Sequence, residues 1–98
     1  MRLTPSQIAI IQQIVRAEVG AGSVVRLFGS RLDDAARGGD IDLLVEMPDP
    51  VEQPALLSAR LAGKLIRAFD GRHVDVVLSA PNLQILPIHQ QARKGVVL

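Results

Sequence analysis

The chain has 98 residues, 48% hydrophobic and only 2% aromatic, with a formal net charge of +1. That describes one small domain spanning residues 1–98, with an aliphatic core. With no cysteine it excludes disulfides and thiolate metal centres, and the near-balanced charge, without a basic stripe, argues against direct binding of a nucleic-acid backbone. No Trp or Tyr is present to stack on a base, which leaves Phe28 and Phe69. No apolar run approaches the ~20 residues of a membrane span, and no leader motif opens the chain, so a cytoplasmic protein is the expectation.

Thr4-Pro5-Ser6-Gln7 opens the first predicted helix. Thr4 can cap, Pro5 suits the first helical position, and Gln7 completes a capping box. Ile8, Ile11, Ile14, Val15 and Val19 then recur at helical spacing, and Gly20 can end the element. Ser23 to Phe28 reads as a buried strand ended by Gly29-Ser30. Arg31 to Arg37 reads as a short helix stopped by Gly38-Gly39, with Asp33 and Asp34 as charges favoured by its dipole. Asp40 to Glu46 is the second strand. Gln53 to Phe69 carries a second helical pattern, on which Arg60, Lys64 and Arg67 read as a solvated face able to touch an acidic partner. Val74 to Leu78 is the third strand. Pro81-Asn82 begins a helical turn that Pro87 interrupts, and Gly95 to Leu98 can add a short terminal strand. Alternating helices and strands indicate an α/β domain with a small mixed sheet.

Three elements carry chemistry. Asp40 and Asp42 are two residues apart on a strand, so both face one side of the sheet while Ile41 and Leu43 face the other. Two such carboxylates cost desolvation and repulsion unless a cation compensates. Asp75 lies among Val74, Val76, Val77 and Leu78, where packing alone does not call for a carboxylate. If its strand neighbours that of Asp42, a hard-oxygen site for Mg²⁺ closes. Gly29-Ser30 precedes a helix, where backbone and hydroxyl donors can take phosphate oxygens, and Arg31 adds charge.

Each element also has an ordinary reading. Asp40 can cap the Gly-Gly turn with Asp42 on a wet strand face, Asp75 can be an exposed strand residue or pair with Arg72 or His73, and Ser30 can be a helix cap. His73 reads as a loop or strand-edge residue and His89 as a helix-surface residue. No Walker loop is present.

Leu27-Phe28-Gly29-Ser30-Arg31, followed by Gly38-Gly39-Asp40-Ile41-Asp42-Leu43-Leu44-Val45, resembles the signature of the polymerase-β-like nucleotidyltransferase superfamily, and the short length resembles its minimal nucleotidyltransferase (MNT) branch. The resemblance extends through Asp75 and implies a small mixed sheet packed by helices. It implies that Gly29 and Ser30 hold a nucleoside triphosphate, with Arg31 near phosphate. By the same resemblance Asp40 and Asp42 bind two Mg²⁺ ions, and Asp75 joins the ion nearer the acceptor hydroxyl. Many small members continue Gly-Ser-Arg with Ala-Arg-Gly, whereas here Arg37 is displaced toward the Asp pair, so its role is unassigned. Larger members add a domain that grips the acceptor, and none is expected here. The resemblance therefore implies an acceptor on another protein: a HEPN-type toxin, with AMP moved from ATP and the chain acting as antitoxin. Two alternatives stand beside it, a non-catalytic module that neutralises a toxin by occlusion and a small-molecule nucleotidyltransferase.

Overall fold

The computed structural model describes residues 3–29 and 41–98. Helix α1 (Pro5–Val19) is followed by strands β1 (Val24–Phe28) and β2 (Ile41–Glu46), helix α2 (Pro54–Ala68), strand β3 (Val74–Ser79), helix α3 (Pro87–Ala92) and strand β4 (Val96–Val97). The expected helix from Arg31 to Arg37 lies outside the described residues.

Helix α1 begins as its capping box requires. The Thr4 hydroxyl accepts the Gln7 N–H at 3.1 Å, and the Gln7 side chain accepts the Thr4 N–H at 2.9 Å. Two of the first-turn donors that a helix leaves unpaired are thereby satisfied. Helix α3 departs from expectation. Residues near Pro81 form only a turn, and Pro87 starts the helix instead of interrupting it. A first helical position needs no N–H, so the ring that would break a helix interior is harmless there.

The strands form one mixed sheet in the order β3-β2-β1-β4. β1 pairs antiparallel with β2 and with β4, whereas β2 and β3 are parallel. The parallel pair is joined through α2, the connection that parallel neighbours require. Alternation along the strands divides the sheet into two faces. Val25, Leu27, Ile41, Leu43, Val45 and Val74 turn to α1 and α2, where they meet Ile11, Val15, Leu61 and Leu65. On the opposite face Phe28 and Leu44 pack against Ala92 of α3. Close approach there depends on Gly95: a Cβ at this position would overlap the Leu27 carbonyl oxygen and lie 3.0 Å from the Ala92 oxygen.

Polar contacts fix the helices on both faces. On the core side, Glu18 of α1 pairs with Lys64 and Arg60 of α2. Arg60 and Lys64, read from the sequence as a solvated face able to touch an acidic partner, thus meet one on the neighbouring helix. On the other side Arg26 Nε contacts Glu46 at 2.5 Å and its Nη1 donates to the Arg93 carbonyl at 3.4 Å.

His89 is buried, contrary to its reading as a surface residue. Its Nδ1 accepts the Leu86 N–H at 2.9 Å, and its Nε2 lies 2.8 Å from the Leu78 carbonyl. This pattern requires the tautomer protonated on Nε2, and it ties α3 to β3. Periodicity missed it because a helix this short presents no full apolar stripe.

Leu43 is fully buried in the central strand, and Leu43→Ala should cost about 2–5 kcal/mol of unfolding free energy, measured by urea denaturation. The hydrogen bond from Lys64, reinforced by the charges of Lys64 and Arg60, lowers the Glu18 pKa below its ordinary value of 4.5, against a smaller upward push from burial. Its contribution to stability is therefore present above the ordinary carboxyl range and is lost as pH falls through the lowered value. Glu18→Gln should flatten that part of the stability–pH curve, read as the melting temperature between about pH 5 and pH 2.5.

Candidate active site

Register on the central strand places the acidic residues. Ile41 pairs with Val74 and is wholly buried, so the next residues along both strands, Asp42 and Asp75, turn to the opposite face. They are partners in the parallel ladder, on strands about 4.8 Å apart. Like charges placed opposite one another on adjacent strands disfavour folding unless partner groups or a cation offset them.

The two environments differ. Asp42 is half-buried, and its other strand neighbour is Phe28. Immediately beyond Phe28 stands Gly29, with φ of +78°. A Cβ there would overlap the Asp42 carboxylate and lie 3.2 Å from its Cγ. Glycine is therefore needed twice, for the left-handed backbone and for the space occupied by the acid. Besides letting the backbone approach a phosphate, glycine at this position leaves the space that the Asp42 carboxylate fills.

Asp75 is exposed, its side chain 56% accessible. The expectation that packing disfavours a carboxylate here does not hold, because β3 is an edge of the described sheet and Asp75 points to the less covered face. His73 Nε2 lies 2.8 Å from Asp75 Oδ1. The pairing with His73, considered from the sequence as one ordinary role for Asp75, is thus present.

Of the six expected site residues, the structure brings Gly29, Asp42 and Asp75 to one end of the sheet. Ser30, Arg31 and Asp40 lie outside the described residues, as does Arg37. Among the described residues no group of three or more His, Cys, Asp or Glu side chains could hold a metal ion. The pair Asp42 and Asp75 nevertheless offers hard oxygens on adjacent strands, partly open to solvent, which suits a cation that keeps water and phosphate in its coordination shell. No described helix is long and apolar enough to cross a membrane.

Gly29→Ala should destabilise the fold by about 1–3 kcal/mol through backbone strain, and more than Gly71→Ala. Gly71 also has positive φ, but open space surrounds its missing Cβ. Parallel urea titrations of the two variants would isolate the Gly29–Asp42 contact as the difference.

Comparison with known proteins places this geometry in context. The family model described as a nucleotidyltransferase domain matches residues 8–97. A tri-AMPylated HEPN toxin in complex with MNT antitoxin from Shewanella oneidensis contains a similar chain, at 26% identity and a TM-score of 0.61 over 91% of this chain and 64% of that one. A mutant MntA–HpeT toxin–antitoxin complex matches at 25% identity and a TM-score of 0.62, over 95% of this chain and 68% of that one. A toxin–antitoxin structure with AMP-PNP shares the fold at 24% identity and a TM-score of 0.65, over 95% of this chain and 69% of that one. The chain thus spans roughly two thirds of the length of these neighbours. Comparison with curated proteins finds no match. With the family model spanning nearly all of the sequence and the acidic strand pair in register behind the Gly29 turn, the chain belongs to the nucleotidyltransferase domain family, as a minimal nucleotidyltransferase of the polymerase-β-like superfamily.

Proposed function

We propose that the chain is a Mg²⁺-dependent nucleotidyltransferase that moves AMP from ATP to a hydroxyl of a HEPN-type toxin and acts as its antitoxin in the cytoplasm. The observation that carries this reading is the in-register pair Asp42 and Asp75 beside Gly29, in a chain of the nucleotidyltransferase family. The similar chain in complex with a tri-AMPylated HEPN toxin supports AMP as the transferred group and a toxin as acceptor.

Asp42 and Asp75, with Asp40 preceding β2, would hold two Mg²⁺ ions. Bound Mg²⁺ supplies charge neutralisation for the phosphates and for the oxygens entering and leaving phosphorus. The rest falls to the chain. Gly29, Ser30 and Arg31 would seat the triphosphate at the end of β1. The exposure of Asp75 leaves room for an acceptor hydroxyl at the open side of the pair. That hydroxyl attacks the α-phosphorus, its proton passes to water, the bond to the bridging oxygen breaks, and pyrophosphate departs. The protein positions and neutralises, which is most of what phosphoryl-type transfer asks of it.

The test uses ATP, GTP, CTP and UTP labelled at the α-phosphate, each with Mg²⁺, the purified chain and a lysate of its native host. Label from ATP should appear on a protein band. Asp42→Asn should reduce the labelling rate by about a thousandfold or more, the scale of several kcal/mol of transition-state charge stabilisation. Normal turnover by Asp42→Asn would remove the metal assignment. An absence of label with all four nucleotides, while the chain still neutralises its partner, would replace transfer with occlusion.

A further inference from the structure

The two acids of the pair are held by different means. Asp42 is half-buried and abuts Gly29. Asp75 stands on an edge strand with more than half of its side chain in solvent. An exposed aspartate moves among rotamers, and each displaces its oxygens. Mg²⁺ demands near-ideal octahedral geometry at about 2.0–2.1 Å and gains little from a donor that wanders.

His73 supplies the missing restraint. It lies two residues before Asp75 on the same side of the chain, and its Nε2 reaches Oδ1 at 2.8 Å. Its carbonyl meanwhile accepts the Ile41 N–H at 3.0 Å. One residue is therefore anchored by its backbone next to Asp42 and by its ring to Asp75. The anchor for the ring belongs to the same ladder that sets the two carboxylates side by side.

We infer that His73 is a positioning residue for a divalent cation at Asp42 and Asp75: its ring holds Oδ1 and thereby presents Oδ2 to the ion. The inference rests on the metal-binding reading of the pair. It adds a residue outside the acidic and glycine-serine motifs and gives it the role of a ligand's hydrogen-bond partner, of the kind whose loss typically costs 10–100-fold in metal affinity.

The probe is Mn²⁺ alone, titrated into the full chain and read from the free-ion electron paramagnetic resonance signal. His73→Ala should weaken binding about 10-fold. His73→Gln places an amide nitrogen where Nε2 lies and should restore most of that loss. Melting temperatures without metal should stay within a few degrees of one another, because a contact between two largely exposed side chains adds little to folding. Unchanged Mn²⁺ affinity in His73→Ala, or no rescue by His73→Gln, would overturn the inference. So would imidazole nitrogen couplings in the electron spin echo of bound Mn²⁺, which would make His73 a ligand and not an orienter. Asp75→Asn separates the metal role of Asp75 from the positioning role of His73. If it binds Mn²⁺ as the wild type does, the metal role of Asp75 fails and the inference falls with it. If it loses affinity while His73→Ala does not, only the role of His73 fails.

Discussion

The parallel ladder between β2 and β3 is the constraint on which the rest of the structure depends. Ile41, Leu43 and Val45 are wholly buried on the helix-covered face. Sliding either strand by one residue would turn its apolar set out to solvent. The hydrophobic effect therefore sets the register, and the same register makes Asp42 and Asp75 partners. Site geometry is in this sense a consequence of core burial. The large aliphatic side chains that these strands remove from water, each contributing about 1.5–3 kcal/mol, hold that register in place.

The second face of the sheet is divided between an apolar part and an acidic end. Toward α3 it is closed by Phe28, Leu44 and Ala92, with the Arg26–Glu46 pair at the margin and His89 bonded to the carbonyl of Leu78. At the other end it carries Asp42, Asp75 and the turn at Gly29. Phe28 connects the two regions, since it packs toward α3 and also pairs with Asp42 across the ladder. The acidic end is thus built on strands that pack on both faces of the sheet.

Much of this was legible before any fold was known, and the reasons are specific. The Thr4–Gln7 box declares a helix start because both bonds are local and need no tertiary partner. Asp42 was assigned to the face opposite Ile41 and Leu43 by the two-residue period alone. The misjudged residues are those whose setting depends on distant chain. His89 looks like a surface residue until β3 brings the Leu78 carbonyl beside it. Pro87 looks like an interruption until the chain around Pro81 turns without forming a helix. For Asp75 the sequence offered both a place in an apolar run and an exposed strand position beside His73, and the edge position of β3 decides for the second.

By itself the sequence determined the places of α1, α2 and the strands, the apolar stripes they bury and the chemical character of the Gly-Ser and Asp-x-Asp segments, since all of these follow from local spacing and residue type. Only the tertiary structure decided that β3 lies beside β2 with Asp75 opposite Asp42, that Gly29 meets the Asp42 carboxylate, and that the ring of His73 reaches Asp75 while its carbonyl holds β2. Strand order and pairing arise from contacts between residues far apart in the chain, and those contacts are selected by the burial of the whole apolar surface, which no local window contains.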